Sequence, residues 1–139
     1  MKAMITTAAC TGLLASAAAA ADLTVTVEGV EARGGTFFVS VQTEDEFMGD
    51  SGTDGSMIST PEAGTLTRTY DLPPGEYAVT VWHDDNGNGQ FDRAEIGYPL
   101  DGWAMSGTMP ERRGPTFAEA AVRVPAGGGT TTVSMTYGR

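Results

Sequence analysis

Residues Asp84 to Glu95 read Asp-Asp-Asn-Gly-Asn-Gly-Gln-Phe-Asp-Arg-Ala-Glu. In a twelve-residue loop of the EF-hand type, Asp84, Asn86 and Asn88 take positions 1, 3 and 5. Gly89 takes position 6, Gln90 position 7, Asp92 position 9 and Glu95 position 12. The chemistry this spacing serves is the binding of a hard cation. Ca²⁺ needs about six to eight oxygen ligands at roughly 2.3–2.6 Å. A short loop supplies them when alternate side chains converge and a glycine permits the sharp turn between them. Asp84, Asp92 and Glu95 would give carboxylates, Asn86 and Asn88 amide oxygens, and Gln90 its backbone carbonyl. Three charged ligands predict weak affinity, in the sub-millimolar to millimolar range of extracellular modules.

The elements on either side change the meaning of the loop. An EF-hand loop joins two helices. Here Tyr77 to His83 alternates like a strand, and Ile96-Gly97-Tyr98-Pro99 follows. Neither glycine nor proline suits a helix interior. The reading is an EF-like loop at the end of a β-strand, a brace rather than a sensor. A metal-free turn competes with it. Asp, Asn and Gly dominate turns because they bond the local backbone and tolerate left-handed angles. That alternative leaves the register of Asp92 and Glu95 unexplained.

The rest of the chain predicts strands. Leu23, Val25 and Val27 share one face, as do Phe37, Val39 and Val41. Thr65 to Leu72 carries Leu66 and Tyr70. Pro73-Pro74-Gly75 turns into Glu76 to His83, with Tyr77, Val79 and Val81 inward and Trp82 facing the other way. Ala120 to Val124 and Thr130 to Tyr137 close the chain. Gly34-Gly35 reads as the turn of a hairpin joining the first two strands. Two long connections remain, Glu44 to Ala63, with a short helical turn near Asp45 to Met48, and Asp84 to about Pro115. No long segment has helical periodicity. The expectation is all-β: a single immunoglobulin- or transthyretin-like β-sandwich of about seven strands with one long metal-loop insertion.

Residues 1–21 have the layout of a secretory signal: Lys2, then a small apolar run with Leu13 and Leu14, then an alanine tract. The segment is too short and too rich in small residues for a membrane span. Cys10 lies inside it, and a lipoprotein reading would make it the lipidated residue. Cleavage leaves residues 22–139 as one domain of 118 residues with neither cysteine nor lysine. Disulfides cannot staple that domain. Its formal charge moves from −10 to −11. A chain so acidic lacks the basic patch that nucleic acid or anionic lipid requires.

Other chemistry is thinner. His83 is the only histidine, whereas zinc sites gather several His or Cys ligands. It reads as a hydrogen-bonded strand-end residue that orients Asp84. Ser106 lacks the spacing of a nucleophile elbow. Paired carboxylates for hydrolysis have no favoured spacing, since their separation is set in three dimensions. Trp82, Tyr98, Trp103 and Met105 are candidates for a ligand or partner surface. The alternative is that the aromatic residues cap an open end of the core.

The run from Leu72 to Asp92, then Ile96-Gly-Tyr-Pro, Trp103-Ala-Met-Ser and Pro115-Thr-Phe-Ala-Glu-Ala, resembles the bacterial secreted family catalogued as domain of unknown function 2141. The resemblance spans most of the chain after the leader. It is most specific where a Pro-Gly-x-Tyr strand leads into His-Asp-x-Asn-x-Asn-Gly. It implies export and a transthyretin-like or carboxypeptidase-regulatory-like sandwich, and assigns no activity. After the loop that family usually reads Gly-x-Pro-x-Glu-Gly-aromatic-Gly-aromatic-Ser-Asn. Asp101, Ala104, Met105 and Gly107 depart from it here.

The expected protein is an exported, periplasmic or extracellular module, more binding or structural than catalytic, with Ca²⁺ bracing a long aromatic loop. Its expected partner is an envelope protein or a glycan. A small hydrolase using acids of the 84–115 segment is the alternative.

Overall fold

The computed structural model describes residues 20–138. Cys10 and nearly all of residues 1–21, the expected secretory segment, lie outside them. The order is β1 (Ala21–Val30), β2 (Thr36–Gln42), β3 (Asp54–Ser59), β4 (Gly64–Leu72), β5 (Gly75–Asp84), β6 (Gly102–Met105), α1 (Phe117–Ala120), β7 (Ala121–Val124) and β8 (Gly129–Ser134). A 3₁₀ turn covers Glu44–Glu46, close to where a helical turn was expected. The chain is an all-β sandwich of two sheets.

The smaller sheet has the order β4-β1-β8, with β1 and β8 parallel. The larger has the order β3-β2-β5-β6. β5 is long enough to hold two partners on one edge: β7 pairs Gly75–Ala78, and β6 pairs Thr80–His83. Period-two alternation builds the core between the sheets. Leu23, Val25 and Val27 of β1 are buried with Phe37, Val39 and Val41 of β2 and Val79 and Val81 of β5. The inward faces are those the sequence pattern marks.

Several connections differ from expectation. β1 and β2 lie in different sheets, so Gly34-Gly35 turns a corner between layers and makes no hairpin. Alternation reports which face is buried, not which strand is the neighbour. β3, β6 and α1 were not anticipated. β3 is an edge strand of Asp-Gly-Ser-Met-Ile-Ser with no fully buried residue, so burial left little pattern in it. β6 is four residues long, too short for a periodic signal, and it divides the long Asp84–Pro115 connection. α1 is a single turn closed by a capping box between Thr116 and Glu119.

The part of the Glu44–Ala63 connection that precedes β3 gathers around a side chain of β2. Gln42 is 2 % exposed. Its Nε2 faces the carbonyls of Glu46, Gly49 and Ser51 at 2.9–3.1 Å. One amide thus meets three carbonyls of a segment, ahead of β3, that pairs with no strand.

Candidate functional site

β5 delivers Asp84 to the end of the sandwich, and its neighbours fix it there. His83 is fully buried, its ring edge-on to Phe37 and Tyr137. His83 Nε2 lies 2.7 Å from the Gly34 carbonyl, and Nδ1 2.9 Å from the Tyr137 hydroxyl. A carbonyl only accepts, so in the neutral ring Nε2 carries the proton and Nδ1 accepts from Tyr137. The Tyr137 oxygen in turn accepts the Glu31 amide at 3.0 Å. Burial raises the Tyr137 phenol above its ordinary value. Arg33 stacks 4.4 Å from the Tyr137 ring centre and pairs with Glu31 and Asp85. These pairs raise the Arg33 guanidinium, the Glu31 hydrogen bond most. Four segments therefore meet beside the loop: the β1–β2 corner, β5, the loop's second residue and the C-terminal tail. Histidine does hold the strand end, and it does so by tying the corner and the tail to β5.

Within the loop, Asp84 is 3 % exposed. Its two carboxylate oxygens accept the amides of Asn88 at 3.2 Å and Gly89 at 2.8 Å. Asn86 Oδ1 accepts the Asn88 amide, and Asn88 Oδ1 accepts the Gln90 amide. Gly87 and Gly89 have φ of 68° and 72°, the left-handed region that glycine enters without cost to a Cβ. The side-chain NH₂ groups of Asn86 and Asn88 both donate to Asp92, at 2.7–3.1 Å. The fold therefore brings Asp84, Asn86, Asn88 and Asp92 together.

Glu95 does not join them. Residues 92–100 form a narrow hairpin: Leu100 N donates to Asp92 O, Ala94 N to Tyr98 O, and Gly97 N to Ala94 O, at 2.8–2.9 Å. Glu95 is exposed in its turn. Gln90 is exposed as well. No three acidic or histidine side chains among the described residues gather in metal-binding range.

A different acid, Asp101, meets the loop from outside the twelve residues, at the Asp92 backbone. It is 2 % exposed, just before β6. Its Oδ2 accepts the Asp92 amide at 3.1 Å and the Trp82 indole N–H at 2.8 Å. Among the described residues, no basic side chain pairs with Asp84, Asp92 or Asp101. Sequence reasoning passed over Asp101 as a site residue. Its one signal was the acid that the resembling family carries at that place.

The outward face of the larger sheet begins at this junction. Register aligns Met57 of β3 with Phe38 of β2, Phe38 with Trp82 of β5, and Trp82 with Trp103 of β6. Phe38 and Trp82 stack with centroids 4.9 Å apart. Phe91 of the loop meets Trp82 edge-on at 6.3 Å. The parallel row of Gly55, Ser40, Thr80 and Met105 carries no charge. Trp82, Trp103 and Met105 thus share a half-buried face, and the Trp103 indole N–H is buried without a partner. Phe38 and Met57 are members of that face the sequence reading missed. Tyr98 stands apart on the 92–100 hairpin, about half exposed, with Ile96 91 % exposed at its turn.

Ser106 is consumed structurally: it accepts the Val79 amide at 2.8 Å and donates to the Ala120 carbonyl at 2.6 Å. Two shallow surface recesses, one around Pro61 and Leu66 and one around Thr24 and Gly128, have no lining residue from 84–101.

Residues 25–134 match the family model described as "Uncharacterized protein conserved in bacteria (DUF2141)". The chain belongs to this family. The DUF2141 match begins within β1 and runs to the end of β8, so loop, Asp101 and aromatic row all lie inside it. No curated protein and no solved structure matches the chain. No helix among the described residues is long and apolar enough to cross a membrane.

Proposed function

We propose that this DUF2141 chain is an exported, non-catalytic binding or structural module of the cell envelope, and that its Asp84–Glu95 loop holds one Ca²⁺. The observation that carries the cation is electrostatic. Asp84 and Asp101 are 3 % and 2 % exposed, yet among the described residues neither meets a basic side chain. Burying a carboxylate costs several kcal/mol unless charge or hydrogen bonds compensate; Asp84 accepts two backbone amides, and Asp101 one amide and the Trp82 indole N–H. A divalent cation beside Asp84 and Asp92 would add the opposite charge that the described residues do not supply there.

The donor set fits a hard cation. Asp84 and Asp92 offer carboxylates and Gln90 its carbonyl. Asn86 and Asn88 offer amide oxygens once their NH₂ groups turn away from Asp92, with water completing the shell. Glu95 contributes least, because its turn would have to fold back toward Asp84. The ion would fix the loop's shape. Loop residue Phe91 packs on Trp82, so loop order extends to the face of Trp82, Trp103 and Met105, read as the surface for an envelope protein or a glycan. Export rests on the leader pattern. Ala21 is 2 % exposed and pairs with Leu72 at the start of β1, so cleavage after Ala20, one residue before the expected 1–21 boundary, would keep that strand whole.

Thermal melts in excess Ca²⁺ against chelator test the reading. At ten times the Kd, binding adds about 1.4 kcal/mol, which raises Tm by a few degrees for a domain of this size. Equal melting temperatures at millimolar Ca²⁺ would sink it.

A further inference from the structure

We infer that Asp101, outside the twelve-residue loop, couples that loop to the aromatic face, so that occupancy of the loop is read at the Trp82 indole. The inference rests on the calcium reading above and adds a residue and a direction of coupling to it.

The contacts form one continuous chain. The Asn86 and Asn88 amides donate to the Asp92 carboxylate. The Asp92 backbone N–H donates to Asp101 Oδ2, and the same oxygen accepts the Trp82 Nε1–H. Trp82 stacks on Phe38 and stands opposite Trp103. Asp101 is 2 % exposed, so water does not readily replace either bond.

A chain of contacts carries coupling only where an element has two discrete arrangements. The loop has such an element in its two asparagines. An NH₂ group that donates to Asp92 cannot face a cation. Turning either amide so that only its oxygen faces a bound Ca²⁺ takes that residue's donor from Asp92, and turning both takes away all the side-chain donors Asp92 has among the described residues. The peptide at Asp92 then responds, and its N–H shares one acceptor atom with Trp82. Asp101 is a positioning residue in this scheme. By linkage, a partner that engages the Trp82 face would alter calcium affinity by the factor that calcium alters the partner's.

The chain has two tryptophans, so Trp103→Phe leaves Trp82 as the only indole signal. Calcium is titrated into this variant by calorimetry and, in parallel, by NMR of the indole N–H. The expected result is a Trp82 resonance that moves in step with the calorimetric isotherm. With Asp101→Ala added, calcium heat persists and the Trp82 response shrinks to what the Phe91–Trp82 contact alone transmits. Asp101→Asn keeps an acceptor oxygen and restores the response. Calcium heat with an unmoved Trp82 resonance, or an undiminished response without the carboxylate, overturns the coupling while leaving the calcium site standing. Absence of calcium heat in the unsubstituted protein overturns the site and the coupling together.

One arm needs neither calcium nor a change at Asp101. Asn88→Ala, at an exposed position, removes donors to Asp92 and should move the Trp82 resonance in chelator. An unmoved resonance there also overturns the coupling.

Discussion

Trp82 Nε1 lies 2.8 Å from Oδ2 of Asp101, the oxygen that also accepts the Asp92 amide at 3.1 Å. A residue of the sheet face and a residue of the loop thus share one buried acceptor. The 84–95 segment is therefore no appendage to the sandwich. It is fastened from below by His83 and Tyr137 and from the side by Asp101.

The Asp84 carboxylate holds two loop amides even without a metal. A hydrogen bond to a charged group is worth roughly 1.5–3 kcal/mol, less here because the Asn88 and Gly89 amides belong to exposed residues and can turn to water. Asp84→Ala should lose stability on that reduced scale in urea unfolding performed in chelator. A variant as stable as the parent would show that the loop is not held by this side chain.

The β1–β2 corner gives a paired test. A Cβ on Gly35 would lie 2.0 Å from the Asp84 carbonyl, and its φ is 67°. The neighbouring Gly34 has φ of 79° and nothing within 4 Å of such a Cβ. Gly34→Ala should cost about 1–2 kcal/mol from backbone conformation alone. Gly35→Ala should cost clearly more, since the carbonyl beside the loop must move. Equal losses in denaturant unfolding would contradict the close approach.

Tyr137→Phe removes the acceptor for the Glu31 amide and the donor to His83. The expected loss is roughly 1–3 kcal/mol. The resonances of Gly34 and Asp84 should shift with it, because the tail no longer clamps the strand end. Unchanged stability would mean that water replaces the hydroxyl.

Acid dependence should come partly from Glu119. The Arg113 guanidinium, and then the Thr116 amide, lower its carboxyl from 4.5 to about 2. A depressed carboxyl contributes stability above its unfolded value and loses it as pH falls through the folded one. The contribution is thus whole above about pH 4.5 and fades toward pH 2. Its exposure to solvent keeps it small. Glu119→Gln should flatten stability against pH in that window, and an unaltered slope would contradict the pairing.

Much of this was legible in the sequence, and what was not has physical reasons. Alternation in Leu23–Val27, Phe37–Val41 and Tyr77–Val81 identifies inward faces, because burial on one face leaves a period of two. It is silent on which strand lies beside which, and so β1 and β2 were paired wrongly across the Gly34-Gly35 corner. Loop spacing brought Asp84, Asn86, Asn88 and Asp92 together on paper as they stand in the fold. It could not reveal that the Asp92–Leu100 hairpin carries Glu95 outward, or that Asp101 lies beneath Asp92. The first rests on backbone hydrogen bonds within 92–100, which the residue types there do not announce, and the second on where β6 places Asp101. The row from Met57 through Phe38 and Trp82 to Trp103 depends on register across four strands, which no local pattern encodes.

The calcium site itself is tested most directly by isothermal titration of Ca²⁺ into the chelator-stripped protein. The account predicts one saturable site in the sub-millimolar to millimolar range, lost in Asp92→Ala and little changed in Glu95→Gln. A titration with no saturable heat at millimolar Ca²⁺ would contradict it and leave the loop a metal-free turn.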